Sequence, residues 1–287
     1  MDWTILQFLA PSIAASLIIA GIHAYLGLHV VERGVIFVDL SLAQIASLGA
    51  AIAVWQGYEA NAPAVYWLSL GFTLIGALIF AMVKAHRAKV PQEAIIGITY
   101  AVASAAVILT LSQATGESEH LRDMLVGNIL SVQWPEVGLT AVIYAAIGVF
   151  HWIFRKRFLE ISMDAAGAAS RGIPVRLWDF LFYASFGLVV TRSVAIAGVL
   201  LVFCYLIVPS VGGMLFSGRI GTRLAIGWVM GVVVSGLGMY FSVQFDLPTG
   251  ASIVCTFGLV LAAMGAIRLL VPRTSLENPE LRRVEVR

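Results

Sequence analysis

Apolar runs close to the ~20 residues that cross a bilayer recur along the whole chain, separated by short polar stretches. They predict helical spans near 9–30, 36–56, 63–83, 94–113, 134–154, 177–191, 193–209, 221–243 and 249–270. The sixth and seventh are short and share a boundary near Arg192, so they read as two spans or as one broken, re-entrant unit, and the count is eight to ten. The runs are too long and too uniformly apolar for the alternating strands of a membrane barrel. The fold class is therefore all-α, a polytopic membrane helical bundle. Residues 1–270 form one transmembrane domain, and the polar "VPRTSLENPELRRVEVR" (271–287) reads as a flexible tail.

Composition agrees. Hydrophobic residues make up 60% of the 287 positions and charged residues only 12%, with a mean hydropathy of +0.93; soluble domains carry about a quarter charged residues. The 27 glycines suit close helix packing in lipid. "MDWTILQFLAPS" lacks a basic leader and a small-residue cleavage site, so the first apolar segment is expected to remain as a span. Cys204 and Cys255 both fall in predicted spans and read as buried thiols.

Charge gives an orientation. If the turn after the first span faces the cytoplasm, 16 of the 18 basic residues share that side, and only Arg122 and Arg192 lie on the other. The positive-inside rule then puts the N-terminus outside and the C-terminus inside, with an odd number of spans.

Four loops stand out. Outside, "QATGESEHLRDMLVGNILSVQWPE" (113–136) ends in an amphipathic stretch, Leu121 to Val132, suited to a membrane surface or to a lip for a soluble partner; His120 reads as a solvated loop residue. "FDLPTG" (245–250) reads as a tight turn, with Asp246 as a helix cap. Inside, "FRKRFLEISMDAAGAASRGIPVRLWD" (154–179) has room for a short helix broken at Gly172 and Pro174. In "LIVPSVGGMLFSGRIGTR" (206–223), a span meets Pro209 and a compact Gly212–Gly213 turn carries an apolar tip of Met214, Leu215 and Phe216. That stretch reads either as a plain helical hairpin or as a docking knob for a cytoplasmic protein. No GxxxxGK[ST] phosphate-binding loop occurs, so any ATPase must be a separate subunit.

An ionisable residue within a span is a functional hypothesis by default, because its burial is costly. Asp39 is the foremost case. On a helix it shares a face with Ala43, Ala46, Ser47 and Ala50, whose small side chains leave room for a path. Gln44, about 140° around, reads as an interhelical hydrogen-bonding group. The competing reading makes Asp39 an interfacial helix cap. His23 and His29 lie late in the first span, where a hairpin would bring either one toward Asp39; histidine with carboxylate suits zinc or manganese. Each also reads as an interhelical hydrogen-bonding group. His86 and His151 border basic loops. No dense multi-His or multi-Cys pattern is present, and a weak site suits an ion that must leave again.

Several segments together resemble the permease subunits of bacterial ABC importers for zinc and manganese, built on the larger type II fold of cobalamin and iron-siderophore permeases. The resemblance is carried by "VVERGVIFVDLSLAQIASLGAAIAV" (30–54), "HLRDMLVGNILSVQWPE" (120–136), "GIPVRLWDFLFYASFGLVV" (172–190) with "GVLLVFCYLIVPSVGGMLF" (198–216), and "FDLPTGASI" (245–253). It implies a homodimer in the bacterial cytoplasmic (inner) membrane, two cytoplasmic ATP-binding subunits, and an external or periplasmic metal-binding protein that delivers the ion. Zn2+ or Mn2+ would be the transported cargo, with no stably bound cofactor. It also implies that Ser210, Val211, Gly212, Gly213, Met214, Leu215, Phe216, Ser217 and Gly218 form the coupling helix that fits the ATPase.

The chain departs from the family at one position. The second span usually reads Asp, Ala, Leu, Ser, His, whereas here the five residues are Asp39, Leu40, Ser41, Leu42 and Ala43. Alanine offers no ligand atom. His23 or His29 would then substitute, or two Asp39 carboxylates would meet across the dimer, or the cargo differs. Loss of imidazole is less damaging for manganese than for zinc. The alternatives are an ABC permease for a metal chelate or other small solute, and a proton-coupled secondary transporter. The latter calls for several paired intramembrane acids and duplicated halves, which this sequence lacks. A membrane enzyme has no nucleophile and base set to rest on.

Overall fold

The computed structural model describes residues 3–59, 62–83, 91–112 and 129–270. The expectations for His120, for most of the Leu121 to Val132 stretch, and for the 271–287 tail lie outside those residues. Helices follow one another as α1 (Trp3–Arg33), α2 (Val38–Trp55), α3 (Pro63–Val83), α4 (Gln92–Leu111), α5 (Trp134–Ile153), α6 (Arg155–Met163), α7 (Ala165–Ser170), α8 (Val175–Ala197), α9 (Val199–Phe216), α10 (Ile220–Phe245) and α11 (Thr249–Leu270). A short 3-10 turn, Ile129–Ser131, precedes α5. Among the described residues, nine helices are long and apolar enough to cross a membrane; α6 and α7 are not among them.

Two groups of helices build the bundle. In one, α2 packs on α3 and α4, and α3 packs on α8; in the other, α1 packs on α9 and α10, and α9 on α10 and α11. One continuous core joins them, with Ile19, Leu26, Leu42, Phe182, Phe186, Val202 and Tyr205 among its buried members. Helices α4 and α11 are the least buried, so their apolar surfaces are left for lipid or another chain. Hydroxyl pairs are among the polar cross-links between helices: Thr73 with Thr191 at 3.0 Å, Tyr205 with Ser235 at 2.7 Å, and Tyr144 with Ser193.

Small residues decide where helices meet. A methyl group added to Gly27 of α1 would lie 1.9 Å from the Leu206 carbonyl oxygen of α9, so the two backbones touch there. Gly213 is close-packed too: a Cβ would meet the Arg223 backbone at 2.7 Å.

The end of α1 is set by Gly34 at φ +66°, with Val35 N–H bonded to Val30 O and Gly34 N–H to Val31 O. Those two bonds satisfy carbonyls that the helix end leaves free.

Two expectations about boundaries need correction. The sixth and seventh spans do not divide near Arg192, which lies inside α8 with its Nε donating to Thr140 Oγ1 at 3.1 Å. They divide at Gly198, whose φ of 78° is a conformation that residues with a Cβ avoid. Nor does Pro209 end a span, because α9 continues through it to Phe216. The Ser210–Gly218 segment is therefore not a free-standing knob. Its first seven residues are the last two turns of α9, and Ser210, Gly212 and Gly213 are buried. Only Met214 and Gly218 in it are exposed.

Candidate functional site

Asp39 lies in the first turn of α2, after Phe37 at the N-cap position, and is 1% exposed. Its Oδ1 has no hydrogen-bond partner. A buried carboxylate oxygen left unpaired is costly and calls for an explanation. Backbone N–H groups of Asp39 and Leu40 favour its carboxylate from the first turn of the helix, yet Oδ1 stays unpartnered.

Three helices converge around that turn. Phe37 stacks on Phe203 of α9, with ring centroids 6.3 Å apart and planes 5° from parallel. Glu93, in the first turn of α4, accepts a hydrogen bond from Phe37 N–H at 3.0 Å through Oε1. Its Oε2 is buried and has no partner. Glu93 and the Cys204 thiol of α9 are both close enough to interact electrostatically with Asp39. Sequence reasoning missed Glu93. Following Pro91, it looks like an ordinary acidic residue in a helix's first turn, and its tie to α2 spans 56 positions.

The rest of the Asp39 face is closed. Ala43, Ala46, Ser47 and Ala50 are all buried within the chain, so the small residues pack against neighbouring helices instead of lining an open channel. Asp39 is equally enclosed. The pairing of two Asp39 carboxylates across a dimer is not presented by this conformation.

His29 is turned to a different side of α1, and no described hydrogen bond joins His23 to Asp39. His23 is fully buried, and its Nδ1 donates to the Ile19 carbonyl one turn back at 2.9 Å. His29 points toward α5, α6 and α8: its Nδ1 lies 2.9 Å from Ser162 Oγ, and its ring neighbours are Tyr25, His151, Phe158 and Phe182. Among the described residues, no three His, Cys, Asp or Glu side chains are grouped to hold a metal. His151 is likewise buried, not interfacial, with Nε2 2.8 Å from Ser185 Oγ.

A second polar constellation, also unforeseen, gathers at the end of α1. Arg33 pairs with Asp179 of α8 at 2.5 Å, donates through Nε to Ser162 of α6 at 2.9 Å, and lies 4.0 Å above the Phe182 ring. Glu32 pairs with Arg223 of α10, which also donates to the Ser217 carbonyl at 2.9 Å. The end of α1 is thus tied both to α6 and to the turn after α9. Asp179 had read as the end of a loop.

Residues 5–267 match the ABC 3 transport family. The chain is similar to the "Manganese transport system membrane protein MntC" of Halalkalibacterium halodurans, at 25% identity over 263 residues covering 89% of this chain and 86% of that protein. It is similar to the "Manganese import system permease protein ScaB" of Streptococcus gordonii at 24% identity, covering 88% and 89%. Its fold matches a chain of the solved PsaBC complex with Fab from Streptococcus pneumoniae, with a TM-score of 0.76, 24% identity and 97% of both chains covered.

Proposed function

Because the chain belongs to the ABC 3 transport family, we propose that Asp39 is the cargo-contacting carboxylate of a divalent-metal importer, with zinc or manganese as the ion. The chain is the permease subunit of a metal ABC importer; ATP hydrolysis belongs to a different subunit. The observation that carries the role of Asp39 is its unpartnered Oδ1 inside a fully packed bundle. A passing cation supplies what the protein leaves unsatisfied, and a sparse donor set lets it go.

The working unit in this reading is a homodimer in the cytoplasmic membrane, with two cytoplasmic ATP-binding subunits and an external metal-binding protein that delivers the ion. The N-terminus is outside and the C-terminus cytoplasmic, as the distribution of basic residues favours. The ATPase contact combines the exposed turn around Met214, Gly218 and Arg219 with α6 and α7, the extramembrane helices on the same side. Ser210, Val211, Gly212 and Gly213 serve that contact from behind, as the rigid end of α9. A chelate permease requires a wide lumen, and the packed small-residue face of α2 favours a bare ion over it.

The test is ATP-dependent uptake of manganese and zinc into liposomes carrying this chain, its ATPase and its binding protein. Uptake of either ion that stops when the ATPase or ATP is omitted supports the reading. An intact complex that hydrolyses ATP and takes up neither ion overturns it.

A further inference from the structure

On the reading that Asp39 meets the cargo, we propose that Glu93 is the second protein ligand of the transported ion, making a two-carboxylate site that favours an oxygen-preferring divalent cation such as manganese over zinc.

The geometry begins with the N–H of Phe37. It holds Glu93 Oε1 at 3.0 Å, which fixes the α4 carboxylate to the start of α2, two residues before Asp39. The same carboxylate's Oε2 is buried without a partner, as is Asp39 Oδ1. The sign of a ligand is the state of Asp39: a side chain 1% exposed, in a packed helix interface, with an Oδ1 that has no hydrogen-bond partner. The two unsatisfied oxygens belong to the first turns of two helices that the Phe37–Glu93 bond joins, and no arginine, lysine or histidine pairs with either among the described contacts.

Charge balance sets the class of ligand. Asp39 alone would leave a divalent ion with one uncompensated positive charge in an apolar surrounding. Asp39 and Glu93 together neutralise it, which lowers the cost of bringing the ion out of water. With the site empty, the positive end of the α2 dipole moderates the repulsion between the two carboxylates. The ligand types set the preference. Ala43 occupies the position one turn beyond Asp39 and supplies no nitrogen, and His29 faces Ser162 of α6. Carboxylate oxygens suit manganese, whereas imidazole and thiolate draw zinc.

The experiment uses the assembled transporter with Mn2+ as the probe, comparing wild type with Glu93→Gln and Asp39→Asn. Glutamine keeps an oxygen to accept from Phe37 N–H, so a purely capping role for Glu93 survives the change. Half-saturating Mn2+ for uptake is expected to rise at least roughly tenfold in Glu93→Gln, since even losing an outer-shell partner weakens metal sites that much. If Glu93→Gln keeps wild-type Mn2+ saturation while Asp39→Asn abolishes uptake, Glu93 is a cap only and the Asp39 reading stands. If neither variant alters uptake, both readings fall.

A second measurement needs no Glu93 variant. The difference infrared spectrum on Mn2+ binding is recorded with the permease's glutamate carboxylates labelled with 13C, and the Asp39→Asn spectrum is subtracted. A displaced glutamate carboxylate band supports the proposal. A change confined to aspartate overturns it.

Discussion

Arg33 Nη1 lies 2.5 Å from Asp179 Oδ1, and the two side chains are 0% and 1% exposed, so the end of α1 is fastened to α8 by a fully buried ion pair. Removing one partner strands the other charge in the bundle, a loss of about 3–5 kcal/mol. Arg33→Met or Asp179→Leu alone should lower the thermal unfolding midpoint of the purified permease sharply, and the double variant should recover most of it. Single variants as stable as wild type would contradict this account of the pair.

Contact between α1 and α9 makes a second prediction. Gly27→Ala places a methyl group 1.9 Å from the Leu206 carbonyl and 2.5 Å from Ser210 Oγ, whereas Gly21→Ala meets nothing within 4 Å. Overpacking of this kind costs about 1–3 kcal/mol. Unfolding in detergent should therefore separate the two variants, with Gly27→Ala destabilised and Gly21→Ala close to wild type.

Position 43 lies one turn beyond Asp39 on the same buried face. Ala43→His restores an imidazole within reach of the same ion, and imidazole raises affinity for zinc more than for manganese. The ratio of zinc to manganese uptake should rise several-fold, as measured by competition between the two ions in proteoliposomes. An unchanged ratio would separate this face from the cargo.

The docking surface is open to cross-linking. Ala166 on α7 and Met214 near the end of α9 are exposed, and span counting puts them on the side opposite Trp67 at the start of α3. Cysteines at 166 and 214 should form cross-links with the ATPase under mild oxidation, and a cysteine at 67 should not. The reverse pattern would invert the proposed orientation.

How far the sequence foretold this structure depends on the range of the interaction. The spans were legible because each needs a long apolar run, and all nine appear near their expected positions. The division between α8 and α9 was misplaced because Arg192 looked like the end of a span. Its guanidinium is held by Thr140 while the helix continues, and a single glycine within "AIAGVLL" makes the turn. Pro209, Gly212 and Gly213 looked like a compact turn for a similar reason. In an aqueous loop glycines bend the chain, but here Gly213 lets α9 touch the Arg223 backbone.

At the site, a lone acid in an apolar run marked Asp39 from composition alone. Glu93 is joined to it only through the fold, and residues on the same helix give no hint of the tie. His29 was placed wrongly because nearness to the 34–37 turn in sequence says nothing about which side of α1 it occupies. That side faces Ser162 and His151.

The most direct test of the central claim is the rate of ATP-dependent manganese and zinc uptake by the complete complex containing Asp39→Asn, measured beside wild type. The account predicts that uptake of the transported ion is lost while assembly and basal ATP hydrolysis persist. Uptake at the wild-type rate in that variant would contradict it and remove Asp39 from the path.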